Sequence, residues 1–86
     1  MSYKIIILPP AIKFLKNIET KFASKIKERI DLLAIEPRHN GSIKLSGEKN
    51  SYRTRVGTFR IVYEIHDEKV LVMVIRINHR KDVYRS

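Results

Sequence analysis

The spacing of apolar positions changes twice along the chain, and those changes divide it into elements. Tyr3, Lys4, Ile5, Ile6, Ile7 and Leu8 are rich in β-branched side chains and read as a strand. Pro9 and Pro10 stop it, and proline suits the first turn of a helix. The apolar positions then move to helical spacing: Ile12, Leu15 and Ile18, followed by Phe22, Ile26, Ile30 and Leu33. Two helices are predicted, near 10–18 and 20–35, with Lys21, Lys25, Lys27 and Arg29 mainly on their other faces. Pro37 ends the second, because the residue before a proline disfavours the α region. Residues 37–50 are polar, hold Gly41 and Gly47, and read as a loop with room for a short strand at 42–45. Strands follow at 52–56, 59–66 and 70–78. Gly57-Thr58 suits a two-residue II′ hairpin turn, and Asp67-Glu68 makes the next tight turn. The expected fold is α+β: an N-terminal strand, a helical hairpin, then an antiparallel three-stranded meander with the helices packed on one face of the sheet. Residues 1–86 read as a single domain with no linker, repeat or low-complexity tract.

Alternation along the meander assigns faces. In the second meander strand Phe59, Ile61, Tyr63 and Ile65 point one way and Arg60, Val62, Glu64 and His66 the other. In the third, Leu71, Met73, Ile75 and Ile77 form the apolar set, opposite Val70, Val72, Val74, Arg76 and Asn78. In the first, Tyr52, Thr54 and Val56 oppose Arg53 and Arg55. The uniformly apolar sets are expected to face the helices. The open face is then expected to have a floor of Val62, Val72 and Val74, ringed by Arg53, Arg55, Arg60 and Arg76. Charges on exposed strands also discourage aggregation, a task lysine would serve as well. Arginine dominates instead, and its planar fork suits bidentate contact with phosphate.

Composition narrows the chemistry. There is no cysteine, which excludes disulfides, thiolate metal sites and cysteine nucleophiles. His39, His66 and His79 show no metal-ligand spacing with the carboxylates, so neither a metal nor a cofactor is expected. No apolar run approaches the roughly 18 residues of a membrane span. The N-terminus lacks a signal-peptide layout, so the expected location is the cytoplasm, with no membrane partner. Lysine plus arginine number 18 against 9 acidic residues, a net charge of +9 that attracts phosphate backbones or an acidic protein. Residues 1–43 and 51–86 each carry 8 basic and 4 acidic side chains, so position on the fold decides which charges matter.

After the third meander strand comes Asn78-His79-Arg80-Lys81-Asp82-Val83-Tyr84-Arg85. It brings a histidine, an arginine and a tyrosine within six positions, able to fold back over an arginine-walled face. The segment from Tyr52 to Glu64, reading YRTRVGTFRIVYE, together with HRKDVY from His79 to Tyr84, resembles the RelE branch of the RelE/ParE toxin superfamily. The helical hairpin and the length fit as well, so the resemblance covers nearly the whole chain. RelE-like toxins cut messenger RNA in the ribosomal A site; ParE-like toxins inhibit DNA gyrase on the same fold.

The resemblance implies a metal-free transesterification. A 2′-hydroxyl attacks the adjacent phosphorus, leaving a 2′,3′-cyclic phosphate and a 5′-hydroxyl. It implies that Arg53, Arg55 and Arg60 hold and neutralise the phosphate, that Arg80 assists the leaving group, and that Tyr84 handles the 2′-hydroxyl proton or stacks on a base. Some relatives carry lysines where Arg53 and Arg55 stand. Arginine stays protonated, so both are expected to act electrostatically. His79 is either the proton carrier, a role histidine as a residue type commonly fills, or a structural residue at the strand end. Tyrosine as a base needs its pKa lowered from about 10, which neighbouring arginines would do. The sequence ends two residues after Tyr84, and regulation by an additional C-terminal helix is not expected.

The implied partners are a cognate small antitoxin, the ribosome with its mRNA, and operator DNA only through the antitoxin. Lys13, Lys16, Lys21, Lys25 and Lys27 are candidates for ribosomal RNA contact, or simply a solvated helix surface. Two other functions compete with an mRNA endonuclease: a ParE-like gyrase inhibitor without intrinsic catalysis, and a non-toxic nucleic-acid-binding module using the same basic face.

Overall fold

A computed structural model describes residues 2–79. Within them the chain runs β1 (Lys4–Ile7), α1 (Pro9–Lys16), α2 (Thr20–Ile35), β2 (Ile43–Lys44), β3 (Ser51–Val56), β4 (Phe59–His66), a 3-10 turn (Asp67–Lys69) and β5 (Leu71–His79). The strands form one five-stranded sheet in the order β1-β5-β4-β3-β2. The expected α+β architecture is therefore present, with both helices against one face. None of these helices is long and apolar enough to cross a membrane.

Local chemistry accounts for most boundaries. Pro9 and Pro10 occupy the first turn of α1, where the missing N–H groups cost nothing. Gly57 takes a φ of +60° while Thr58 stays out of the positive region, the backbone signature of a II′ turn. The second turn tightens into 3-10 form and ends on Val70 at φ +49°, a left-handed conformation that a β-branched residue adopts only under strain. β5 consequently starts at Leu71 rather than at 70. The strand between 42 and 45 is only Ile43–Lys44, paired with β3.

The core is Ala11 of α1, Ile26, Ile30 and Leu33 of α2, and Phe59, Ile61, Tyr63, Ile65, Val72, Val74 and Ile77 of β4 and β5. Ile5 and Ile7 of β1 pack against it. β1 runs parallel to β5, with Lys4 beside Leu71 and Ile7 beside Val74. Two polar ties hold the helical layer and the following loop to the sheet. Arg29 of α2 donates to Thr54 Oγ1 at 2.6 Å and to the Arg55 carbonyl at 2.8 Å. The buried Tyr63 hydroxyl donates to the Pro37 carbonyl at 2.6 Å, and burial pushes its pKa up to about 12.

β5 corrects one expectation. Val72 and Val74 are fully buried on the helix side, not on the open face. They pair with Ile65 and Tyr63. The register then slips: Tyr63 sits opposite Val74, but its neighbour Val62 sits opposite Arg76. Ile75 is the extra residue of a β-bulge, which resets a period of two. Leu71 and Met73, opposite His66 and Glu64, therefore share the open face, while Ile77 returns to the core.

Candidate functional site: an arginine face beside a β-bulge

The hairpin β3–β4 and the end of β5 bring the expected arginines together. Arg55 lies directly opposite Arg60, and Arg60 opposite Asn78, in one row across three strands. The next row holds Ile43, Arg53, Val62 and Arg76. Both rows lie on the face away from the helices, because Thr54, Ile61 and Ile77 between them are buried on the other side. The expected floor reduces to Val62, which is only 8% exposed, continued by Met73 in the row beyond.

Like charges directly opposite in an antiparallel pair destabilise it by roughly 0.2–1 kcal/mol. The Arg55–Arg60 pair carries that cost. Glu64, the carboxylate on the same face of β4, is occupied: its Oε1 lies 2.9 Å from His66 Nε2. Among the described residues Arg53, Arg55 and Arg76 have no ion pair. Contrast Arg38, whose guanidinium grips both oxygens of Asp67 at 3.1 and 2.7 Å. That grip, with the Tyr3 hydroxyl at 2.8 Å, holds the Asp67 carboxyl below its usual range. A neutralised arginine on this protein looks like Arg38, and Arg53, Arg55 and Arg76 are built differently.

The scaffold under the rows is firm. Arg29 holds the backbone at Arg55 and the buried hydroxyl of Thr54, fixing the strand from which Arg53 and Arg55 project. Phe59, next to Arg60, meets Phe22 at 5.4 Å and Phe14 at 5.9 Å between ring centroids. Locked strands aim flexible arginine side chains better than loops would. Such a surface can hold a phosphodiester and offset charge that builds on its oxygens.

His79 stands elsewhere. It pairs with Phe59 and takes the helix side, its ring 4.6 Å from Phe59 and 6.4 Å from Phe14. The structure thus places Arg53, Arg55 and Arg60 together and sets His79 on the opposite side of the sheet. Arg80 and Tyr84 lie outside the described residues. Asn78 completes the Arg55–Arg60 row, and its Oδ1 is buried with no hydrogen-bond partner among the described residues. Neither Asn78 nor the supporting role of Arg29 stands out in sequence; an isolated arginine on a helix resembles any solvated one. Among the described residues no cluster of three or more His, Asp or Glu side chains is placed to hold a metal ion.

Comparison with known proteins converges on one group. A family model described as the ParE toxin of the type II toxin-antitoxin system parDE matches residues 5–84. Toxin RelG of Mycobacterium tuberculosis is 36% identical over 53 residues, which span 62% of this chain and 61% of RelG. A putative toxin RelE1 of Methanocaldococcus jannaschii is 28% identical over 89 aligned positions, covering 100% of this chain and 99% of the relative. The toxin–antitoxin complex RelBE2 of Mycobacterium tuberculosis contains a chain that superposes with a TM-score of 0.82 at 26% identity, over 93% of this chain and 100% of that one.

Proposed function

The chain belongs to the RelE/ParE superfamily of type II toxins, as a RelE-like member, and from that premise we propose that it is a ribosome-dependent mRNA endonuclease. One observation carries the reading. Four arginines stand in two rows on an open sheet face whose carboxylate, Glu64, is already engaged by His66.

The reaction is a transesterification within the RNA strand. The 2′-oxygen forms a bond to the adjacent phosphorus, and the bond from phosphorus to the 5′-oxygen breaks. A 2′,3′-cyclic phosphate and a 5′-hydroxyl result. Charge grows on the non-bridging oxygens, and Arg53, Arg55 and Arg60 neutralise it. Removing one such preorganised donor costs about 10²–10³ in rate. Arginine cannot shuttle a proton, so Tyr84, as its phenolate, accepts the 2′-hydroxyl proton; Arg80 donates a hydrogen bond to the departing 5′-oxygen, which takes its proton from water. The packing of His79 against Phe14 and Phe59 favours a structural over a proton-carrying role for it.

With no strong base among the described residues of the open face, the site depends on the ribosomal A site to orient the message. Such orientation is worth several kcal/mol of barrier. Lys13, Lys16, Lys21, Lys25 and Lys27, all exposed on the helices, would meet ribosomal RNA. A small antitoxin with an acidic segment would restrain the free toxin, as the RelBE2 complex suggests, and would carry the pair to operator DNA. The protein would act in the cytoplasm as one domain.

Primer extension on messages after induced expression tests the reading. Cuts within translated codons, abolished by Arg80→Ala or Tyr84→Ala with the fold retained, are expected. Intact messages with DNA damage would point to gyrase, the ParE-like target. Full toxicity of both variants would move the active site elsewhere.

A further inference from the structure

We propose that Arg76 is a second phosphate-binding residue, holding a phosphodiester one nucleotide away from the bond held by Arg55 and Arg60. The proposal rests on the endonuclease reading and adds to it a substrate track longer than one phosphate.

Arg76 owes its place to the bulge. Counted by strict alternation from the buried Val72 and Val74, it belongs on the helix side. The slip at Ile75 turns it outward, opposite Val62 and in line with Arg53. A bulge interrupts strand pairing and persists where re-aiming a side chain compensates. Here the re-aimed side chain is an exposed guanidinium with no ion pair among the described residues.

The spacing fits a nucleic acid strand. Rows two residues apart along a strand are separated by about 7 Å, and neighbouring strands by about 4.8 Å. Arg60 and Arg76 are diagonal neighbours across β4 and β5, about 7–8 Å apart at the backbone. Arg76 lies farther from Arg53, two strands away in its own row and about 10 Å off with Val62 between them. Its position suits a phosphate next to the one held by Arg55 and Arg60, on a single strand laid obliquely across the rows. Val62 between Arg53 and Arg76, 8% exposed, offers an apolar floor for the sugar or base that links them.

The test compares two RNA probes, a dinucleotide with one phosphodiester and a trinucleotide with two, both lacking terminal phosphates. Binding is followed through the side-chain Nε–H resonances of the arginines in the full chain, a signal blind to the helix lysines. Arg76→Gln should weaken trinucleotide binding about tenfold, lower its salt slope by about one, and leave dinucleotide binding within twofold. Arg76→Lys should recover most of the loss. Equal weakening of both probes, or of neither, overturns the proposal. If Arg55→Gln still weakens both probes in the latter case, the endonuclease reading survives it. If wild-type arginine resonances respond to neither probe, the proposal and the RNA reading fall together.

Discussion

The two faces of this sheet treat polar groups in opposite ways. On the helix side, Thr54 is bound by Arg29 and the Tyr63 hydroxyl by the Pro37 carbonyl. On the open side Arg55 and Arg60 confront each other, and Arg53 and Arg76 have no ion pair among the described residues. One face spends its polar groups on holding the fold; the other carries Arg55 and Arg76 exposed. The boundary between them is maintained along β4 by plain alternation and along β5 only by the bulge.

Val74→Arg attacks that boundary directly, by placing a guanidinium on the fully buried side of β5 opposite Tyr63. An uncompensated buried charge costs about 3–5 kcal/mol, enough to abolish a cooperative melt in a domain of 86 residues. A melt close to that of the wild type would show that the helix side of β5 accepts charge as the open side does.

Arg29→Met should have the next largest effect. It leaves the buried Thr54 hydroxyl and the Arg55 carbonyl without their donor. Urea unfolding should lose about 1–3 kcal/mol. No loss would mean that the strand is held by packing alone. On the other face, Arg55→Gln should leave stability unchanged or raise it by up to roughly 1 kcal/mol, because a like-charge pair is relieved. Message cleavage should nevertheless fall about 10²-fold. A destabilised but still active variant would reverse the division of labour between the faces.

The smallest effect concerns His39. Burial, with help from Arg29, holds its imidazole below the ordinary value of 6.5. Its Nδ1 accepts the Gly41 N–H at 3.0 Å, which favours the neutral ring. The folded state therefore binds its proton later than the unfolded chain does as pH falls. This contribution to stability is complete above 6.5 and declines as pH drops from there toward the folded-state pKa. His39→Asn should flatten that part of a pH–stability curve. An unchanged slope would place the acid sensitivity on other groups.

Legibility in the sequence tracks how local the cause is. The helices show through their spacing, and the β3–β4 hairpin through Gly57, because each is decided within a few residues. β5 is harder. Residues 70–75 are apolar at every position, so neither parity marks a face, and Arg76 and Asn78 announce a parity that stops at the bulge. The floor of Val72 and Val74 fails for that reason. His79 is open in sequence because a histidine at a strand end suits either a proton carrier or a packed ring, and the rings of Phe14 and Phe59 that decide it come from other elements. The seat of β1 beside β5 is set by tertiary packing and leaves no local mark. The row of Arg53, Arg55 and Arg60 was readable because β3 and β4 alternate without interruption.

The parallel pairing of β1 with β5 also bears on how the molecule comes into being. Lys4 finds its partner in Leu71, 67 positions later. During synthesis at about 5–20 residues per second, the first strand waits several seconds for its neighbour. Until then its apolar side chains have only the helices to shelter them, and the wide loop closure slows assembly. The second row of arginines is completed by the same late strand. The nascent chain therefore cannot complete its second arginine row until β5 has joined β4, which delays the proposed phosphate-binding surface until Arg76 has been made.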